Sequence, residues 1–196
     1  NWLYQDEISY PFGYGLSYTD FKMEILEKEG SKFTYNHEEK AFYVDVKVTN
    51  IGDKPGKKTV QLYASSPYTQ YDKEHKIEKS AVQLVNFEKT DTLYPLSESG
   101  EGKPNSQVLT IKADLKYIAS YDETCSHDGV TGGYILEDGN YYLSVASNSH
   151  DAVNNVILNK DSNLESKIYD EDKSANKDLA VSFNPAQISE ITQDAK

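Results

Sequence analysis

From Phe42 to Thr49 polarity alternates residue by residue. Phe42, Val44, Val46 and Val48 fall on one parity, and Tyr43, Asp45, Lys47 and Thr49 on the other. A period of two gathers the apolar set on one face of an extended strand, whereas a helix would scatter it around its surface. The segment Asn50-Ile51-Gly52-Asp53-Lys54-Pro55-Gly56 follows, with the residues that supply reversal geometry. A second strand, Lys58 to Ala64, comes directly after it. One-faced strands joined by short reversals must bury that face against another layer, which points to an all-β sandwich rather than a parallel α/β sheet.

Further strands are expected at Phe21 to Glu27, Ala81 to Lys89, Gln107 to Ile111, Tyr117 to Asp122 and Asn140 to Ser147, and a late one at Leu179 to Phe183. The turn Glu137-Asp138-Gly139-Asn140 leads into a strand on which Tyr141, Leu143 and Val145 alternate with Tyr142, Ser144 and Ala146. No segment carries a clear 3.6-residue stripe. Ser65 to Ser80 and Tyr94 to Asn105 read as long loops. After Asp151 the sequence turns to Asn, Asp, Lys and Ser, which reads as an extension or connector. A length of 196 residues suits one core with decorations. The start at Asn1, with neither a basic nor a signal-like opening, suggests a piece of a longer protein.

A net charge of -12 argues against nucleic acid as a partner, since phosphates need clustered Lys and Arg, and equally against an anionic membrane. One cysteine, Cys125, leaves no disulfide framework and no Cys-rich zinc site. The histidines at 37, 75, 127 and 150 lack paired ligand spacing, so no metal and no cofactor are expected. Cys125-Ser126-His127-Asp128 and Ser149-His150-Asp151 gather catalytic residue types, but neighbours on a strand point to opposite faces, so both read as loop residues. Gly13-Tyr14-Gly15 lacks the third glycine of a dinucleotide loop, and Gly56-Lys57-Lys58-Thr59 lacks the hydroxyl of a phosphate loop. The long loop is the more informative segment. Tyr68, Tyr71, Asp72 and His75 combine stacking rings with hydrogen-bonding groups, the mixture that contacts a sugar.

Tyr10-Pro11-Phe12-Gly13-Tyr14-Gly15-Leu16-Ser17-Tyr18-Thr19-Asp20-Phe21 resembles the passage by which family 3 glycoside hydrolases of the β-glucosidase type leave their α/β domain for a fibronectin type III-like sandwich. Val48-Thr49-Asn50-Ile51-Gly52-Asp53, Val60-Gln61-Leu62-Tyr63, Leu84-Val85-Asn86-Phe87-Glu88-Lys89-Thr90 and Leu136-Glu137-Asp138-Gly139-Asn140-Tyr141 follow in the same order. Together they cover residues 8 to 150. Pro67-Tyr68-Thr69, Ile77-Glu78-Lys79-Ser80-Ala81 and Ala119-Ser120-Tyr121-Asp122 are similar to a subgroup with inverted domain order, in which the catalytic barrel follows the sandwich.

The resemblance implies a lead-in over 1–20, a fibronectin type III-like β-sandwich over 21–150, and an extension or interdomain connector over 151–196. It also implies that the chain alone is not an enzyme. The family's nucleophilic Asp sits in the barrel, typically just before a Trp, and here Asn1 precedes the sole tryptophan, Trp2. The expected partners are the catalytic domains of the same polypeptide, docked through Trp2, Tyr4, Phe12 and Tyr14, with a β-linked oligosaccharide as a second partner at the Tyr68 to His75 loop. A surface adhesion or linker role unrelated to hydrolysis is the third reading, since sandwiches host many functions.

Overall fold

A computed structural model describes residues 8–127, 129–161 and 175–188. Two antiparallel sheets face one another. In the first, β3 (Ala41–Asn50) is central. It pairs on one side with β6 (Ser106–Asp114) and on the other with β1 (Phe21–Ile25) and β2 (Thr34–Asn36), which share its length. The second runs β10 (Ala180–Phe183), β9 (Tyr141–Ala146), β4 (Thr59–Ser65), β5 (Gln83–Lys89). A separate hairpin joins β7 (Ser120–His127) to β8 (Val130–Ile135).

The alternation in the sequence is realised in the core. Phe42, Val44, Val46 and Val48 pack with Leu109, Ile111 and Ala113 of β6 against Val60, Leu62, Ala64, Tyr141, Leu143 and Val145 of the opposite sheet. On the outward parity of β3, Asp45 pairs with Lys28 and accepts the Thr110 hydroxyl at 2.5 Å. The turn after β3 is organised by Asn50. Its amide donates to the carbonyls of Lys54 (2.8 Å) and Leu93 (2.9 Å), and its oxygen accepts from the Thr19 hydroxyl and the Gly52 N–H. Gly52 is required there, because a Cβ would stand 2.3 Å from Thr19 Oγ1.

Four features depart from the sequence expectations. Tyr117 does not begin a strand: Leu115–Tyr117 form a single 3-10 turn that buries Leu115 and Ile118 together, and β7 starts at Ser120. The long loop contains a six-residue helix, α1 (Gln70–His75). Residues 149–160, expected in a loop and an extension, form α2 (Ser149–Lys160), capped by the Asn148 side chain accepting from the Asp151 N–H at 2.9 Å. Finally, β2 and β8 lie outside the segments whose alternation predicts strands.

Helix α2 lies on the outer face of the second sheet, where Ala152 packs with Tyr63 and Ala146. Asn155, 1% exposed, donates to the Val145 carbonyl at 3.0 Å and accepts from the Asn176 N–H at 2.7 Å. Asn159 donates to the carbonyls of Lys177 and Ala180. The described part of the segment beyond residue 151 is therefore stitched to the sandwich by side-chain amides. No described helix is long and apolar enough to cross a membrane.

Candidate functional site

Two surfaces bear on function. The first is the loop from Ser66 to Ser80 with the elements beneath it. Asp72, in the first turn of α1, accepts the Thr69 N–H at 2.7 Å and turns its carboxylate inward, where it has no exposed surface. The Lys79 ammonium lies 2.8 Å from one Asp72 oxygen and 2.9 Å from the other. It also pairs with Glu137 and donates to the Pro67 carbonyl at 2.9 Å. Glu137 in turn accepts the Thr69 hydroxyl, and its N–H donates to the Tyr141 hydroxyl at 2.9 Å. One ammonium and two hydrogen-bonded carboxylates thus tie the loop to the turn before β9. Buried charges need partners of this kind, and Asp72 Oδ1, which takes no hydrogen bond, depends on the ion pair with Lys79.

Beside them, the Tyr71 hydroxyl donates to Asp122 at 2.6 Å, and Asp122 also accepts the N–H and hydroxyl of Thr124, each at 2.7 Å. Hydrogen bonding to the ionised carboxylate, chiefly from Tyr71, holds Asp122 down to about 2. The same bond stabilises the phenol over the phenolate and pushes Tyr71 up to about 12. The Tyr71 and His75 rings stack with centroids 3.8 Å apart.

The four residues expected to meet a sugar therefore diverge. Asp72 is the correction: it is wholly buried and serves as a helix cap and ion partner, so it cannot reach a ligand. Tyr71 has its hydroxyl bonded to Asp122 and one ring face against His75. Tyr68 alone projects a largely exposed ring. The signal for the role of Asp72 was present as Thr69-x-x-Asp72, the spacing of a capping box. Lys79 and Glu137 had no local signal, because they meet through the fold.

The Cys125 thiol donates to the Asp122 carbonyl at 3.4 Å; Asp128 lies outside the described residues. An open groove of about 1070 Å³ passes Cys125, Leu115, Val130 and Leu136 on one side of the hairpin. Among the described residues no group of three or more His, Cys, Asp or Glu is placed to hold a metal.

The second surface is the lead-in. Tyr10, Phe12, Tyr14, Leu16 and Tyr18 are between 45 and 97% exposed, while the backbone is anchored midway along the row, at Phe12 and Gly13. The Ser149 N–H donates to the Phe12 carbonyl at 2.9 Å, and Gln61 Nε2 donates to the carbonyls of Gly13 (2.9 Å) and Ser147 (2.7 Å). Gln61 Oε1 accepts the Tyr63 hydroxyl at 2.6 Å. Gly13 has φ +85°, and a Cβ there would stand 2.1 Å from Gln61 Oε1. Thr19 is buried against Asn50, and the Ile51 N–H donates to the Asp20 carbonyl. Of the residues expected to dock a neighbouring domain, Phe12 and Tyr14 lie on this surface, and Trp2 and Tyr4 fall outside the described residues. Tyr10, Leu16 and Tyr18 extend it.

No protein-family model matches the chain. A β-glucosidase of Ruminococcus albus is 35% identical over 151 residues, covering 76% of this chain and 13% of that protein. The structure of β-glucosidase 3B from Thermotoga neapolitana, solved with glucose, superposes with a TM-score of 0.51 at 25% identity, over 72% of this chain and 16% of that one. A family 3 (GH3) β-glucosidase of Bifidobacterium adolescentis shares the fold, with a TM-score of 0.52 at 23% identity, over 71% of this chain and 17% of that one. The chain thus spans about a sixth or less of the length of these relatives.

Proposed function

We propose a bracing role for this chain, a β-sandwich homologous to one segment of the family 3 β-glucosidases. In this reading it is a non-catalytic domain that holds the catalytic part of a longer glycoside hydrolase in place. The observation that carries it is the lead-in: a row of large apolar side chains facing outward from a backbone hydrogen-bonded to both β4 and the start of α2. Exposed apolar surface of this kind on an ordered segment marks an interface. A flexible tail would need no such anchoring.

The chemistry points the same way. Retaining hydrolysis requires two carboxylates about 5 Å apart with the sugar between them. Asp72 and Glu137, which the fold does bring together, are buried with the Lys79 ammonium between them. They are committed to holding the loop.

The test uses both the chain and the full-length protein. The chain alone should release no phenol from an aryl β-glucoside. Full-length protein carrying Phe12→Ser, Leu16→Ser and Tyr18→Ser should lose its single melting transition and lose activity at a lower temperature than the unsubstituted protein. The isolated chain with the same substitutions should keep its own unfolding midpoint, because these side chains add little to its core. Turnover by the chain alone, or unchanged melting of the substituted full-length protein, would overturn the proposal.

A further inference from the structure

At the other end of β4 from the lead-in lies a cleft of about 250 Å³. Three tyrosines rim it: Tyr117 from the turn after β6, Tyr121 from β7 and Tyr134 from β8, which are 47, 57 and 67% exposed. The rest of its wall is mostly polar, with Glu78 and Ser80 from the long loop, Gln83 from β5 and Lys116 beside Ala64 and Ala119. We infer that this cleft is a binding subsite for a β-linked oligosaccharide.

A sugar ring offers an apolar C–H face and a rim of hydroxyls, so its sites pair aromatic surfaces with a few fixed hydrogen-bonding groups. Both halves are present here. The Tyr121 and Tyr134 rings meet edge to face at 5.3 Å, and Lys116 Nζ lies 4.7 Å from the centre of the Tyr117 ring. Glu78, Ser80 and Gln83 find no side-chain hydrogen-bond partner among the described residues. The volume falls below the roughly 300–1,000 Å³ of sites for drug-sized ligands, which suits a single ring of a longer chain lying across the surface.

The walls are also held in position, the condition under which a weak contact becomes selective. Lys79 lines the cleft while its ammonium is fixed by Asp72 and Glu137, which anchors the loop between Glu78 and Ser80 at that one residue. Gly132, at φ +85°, lets Tyr121 lie across β8, since a Cβ there would stand 2.6 Å from the Tyr121 hydroxyl. The Tyr68 to His75 loop, by contrast, directs Asp72 inward and occupies the Tyr71 hydroxyl.

The β-linked class rests on the kinship with β-glucosidases; the cleft itself does not. Isothermal calorimetry of the 196-residue chain with cellotetraose, xylotetraose and the α-linked maltotetraose tests both. The expected result is a Kd on the order of millimolar for a β-linked ligand, weakened about tenfold by Tyr134→Ala and unchanged by Tyr68→Ala. Tyr134→Phe should retain binding, and circular dichroism should show all variants folded. Flat traces with both β-linked ligands, full binding by Tyr134→Ala, loss in Tyr68→Ala, or equal affinity for maltotetraose would each overturn the inference. None of these outcomes bears on the bracing role, which the melting of the full-length protein decides separately.

Discussion

Lys79 sits within hydrogen-bonding reach of two carboxylates that would otherwise be buried without a counter-charge. Replacing it by Met should destabilise the chain by about 3–5 kcal/mol, the usual cost of stranding a buried ionic partner. Urea unfolding measures this, and a loss below about 1 kcal/mol would show that water reaches Asp72 and Glu137. A second prediction follows from the tyrosines. Burial pushes Tyr63 and Tyr141 up to about 12, as the bond to Asp122 does for Tyr71, from an ordinary value of 10.0. A group whose folded pKa is raised contributes its stability fully below the unfolded value and loses it as pH climbs through the folded one. The chain should therefore hold its stability up to about pH 10 and lose it between about pH 10 and 12, with the tyrosinate signal of Tyr63, Tyr71 and Tyr141 appearing only as it unfolds. Early titration of these three phenols in the folded chain would contradict the prediction. Asp122 works in the opposite sense: its folded value is lowered, so its share is present above the ordinary 3.8 and fades as pH falls toward about 2.

Among the elements, β3, β4 and β9 were readable because each turns one parity of apolar residues to the core, so that the period of two survives in the residues themselves even though α2 covers part of the other face of β4 and β9. Helix α2 was not. It rests on the outside of a sheet, where Ala152 and Val156 make a narrow apolar strip, and the rest of its contact is made by the buried amides of Asn154 and Asn155. Asparagines at an interface look like a loop in sequence. Strand β8 was hidden by Gly132 and Gly133, which interrupt the alternation. The candidate sites divide in the same way: exposed aromatics such as Phe12, Tyr14 and Tyr68 could be named from sequence, whereas Lys79, Glu137 and the Tyr117, Tyr121, Tyr134 cleft assemble from distant segments. Asn155→Ala should cost about 1–3 kcal/mol, because it leaves the Val145 carbonyl and the Asn176 N–H without partners. Hydrogen exchange should then quicken in α2 and β10 before β3. Uniform exchange across both sheets would show that α2 is not a separate layer of stability.

At the scale of the molecule, the sandwich offers an apolar face beside the start of α2 and a tyrosine-rimmed cleft at the far end of β4, with a close-packed core between them. The strands nearest the two ends of the described chain lie in different sheets: β1 pairs only with β3 in one, and β10 only with β9 in the other. A pull applied at Phe21 and Phe183 would thus find no continuous ladder of hydrogen bonds running from one point to the other. Tension would pass from sheet to sheet through the side chains of the core, and would begin by peeling the five paired residues of β1 or the four of β10. As a mechanical element the domain resists compression through its packing, and yields to stretch one edge at a time.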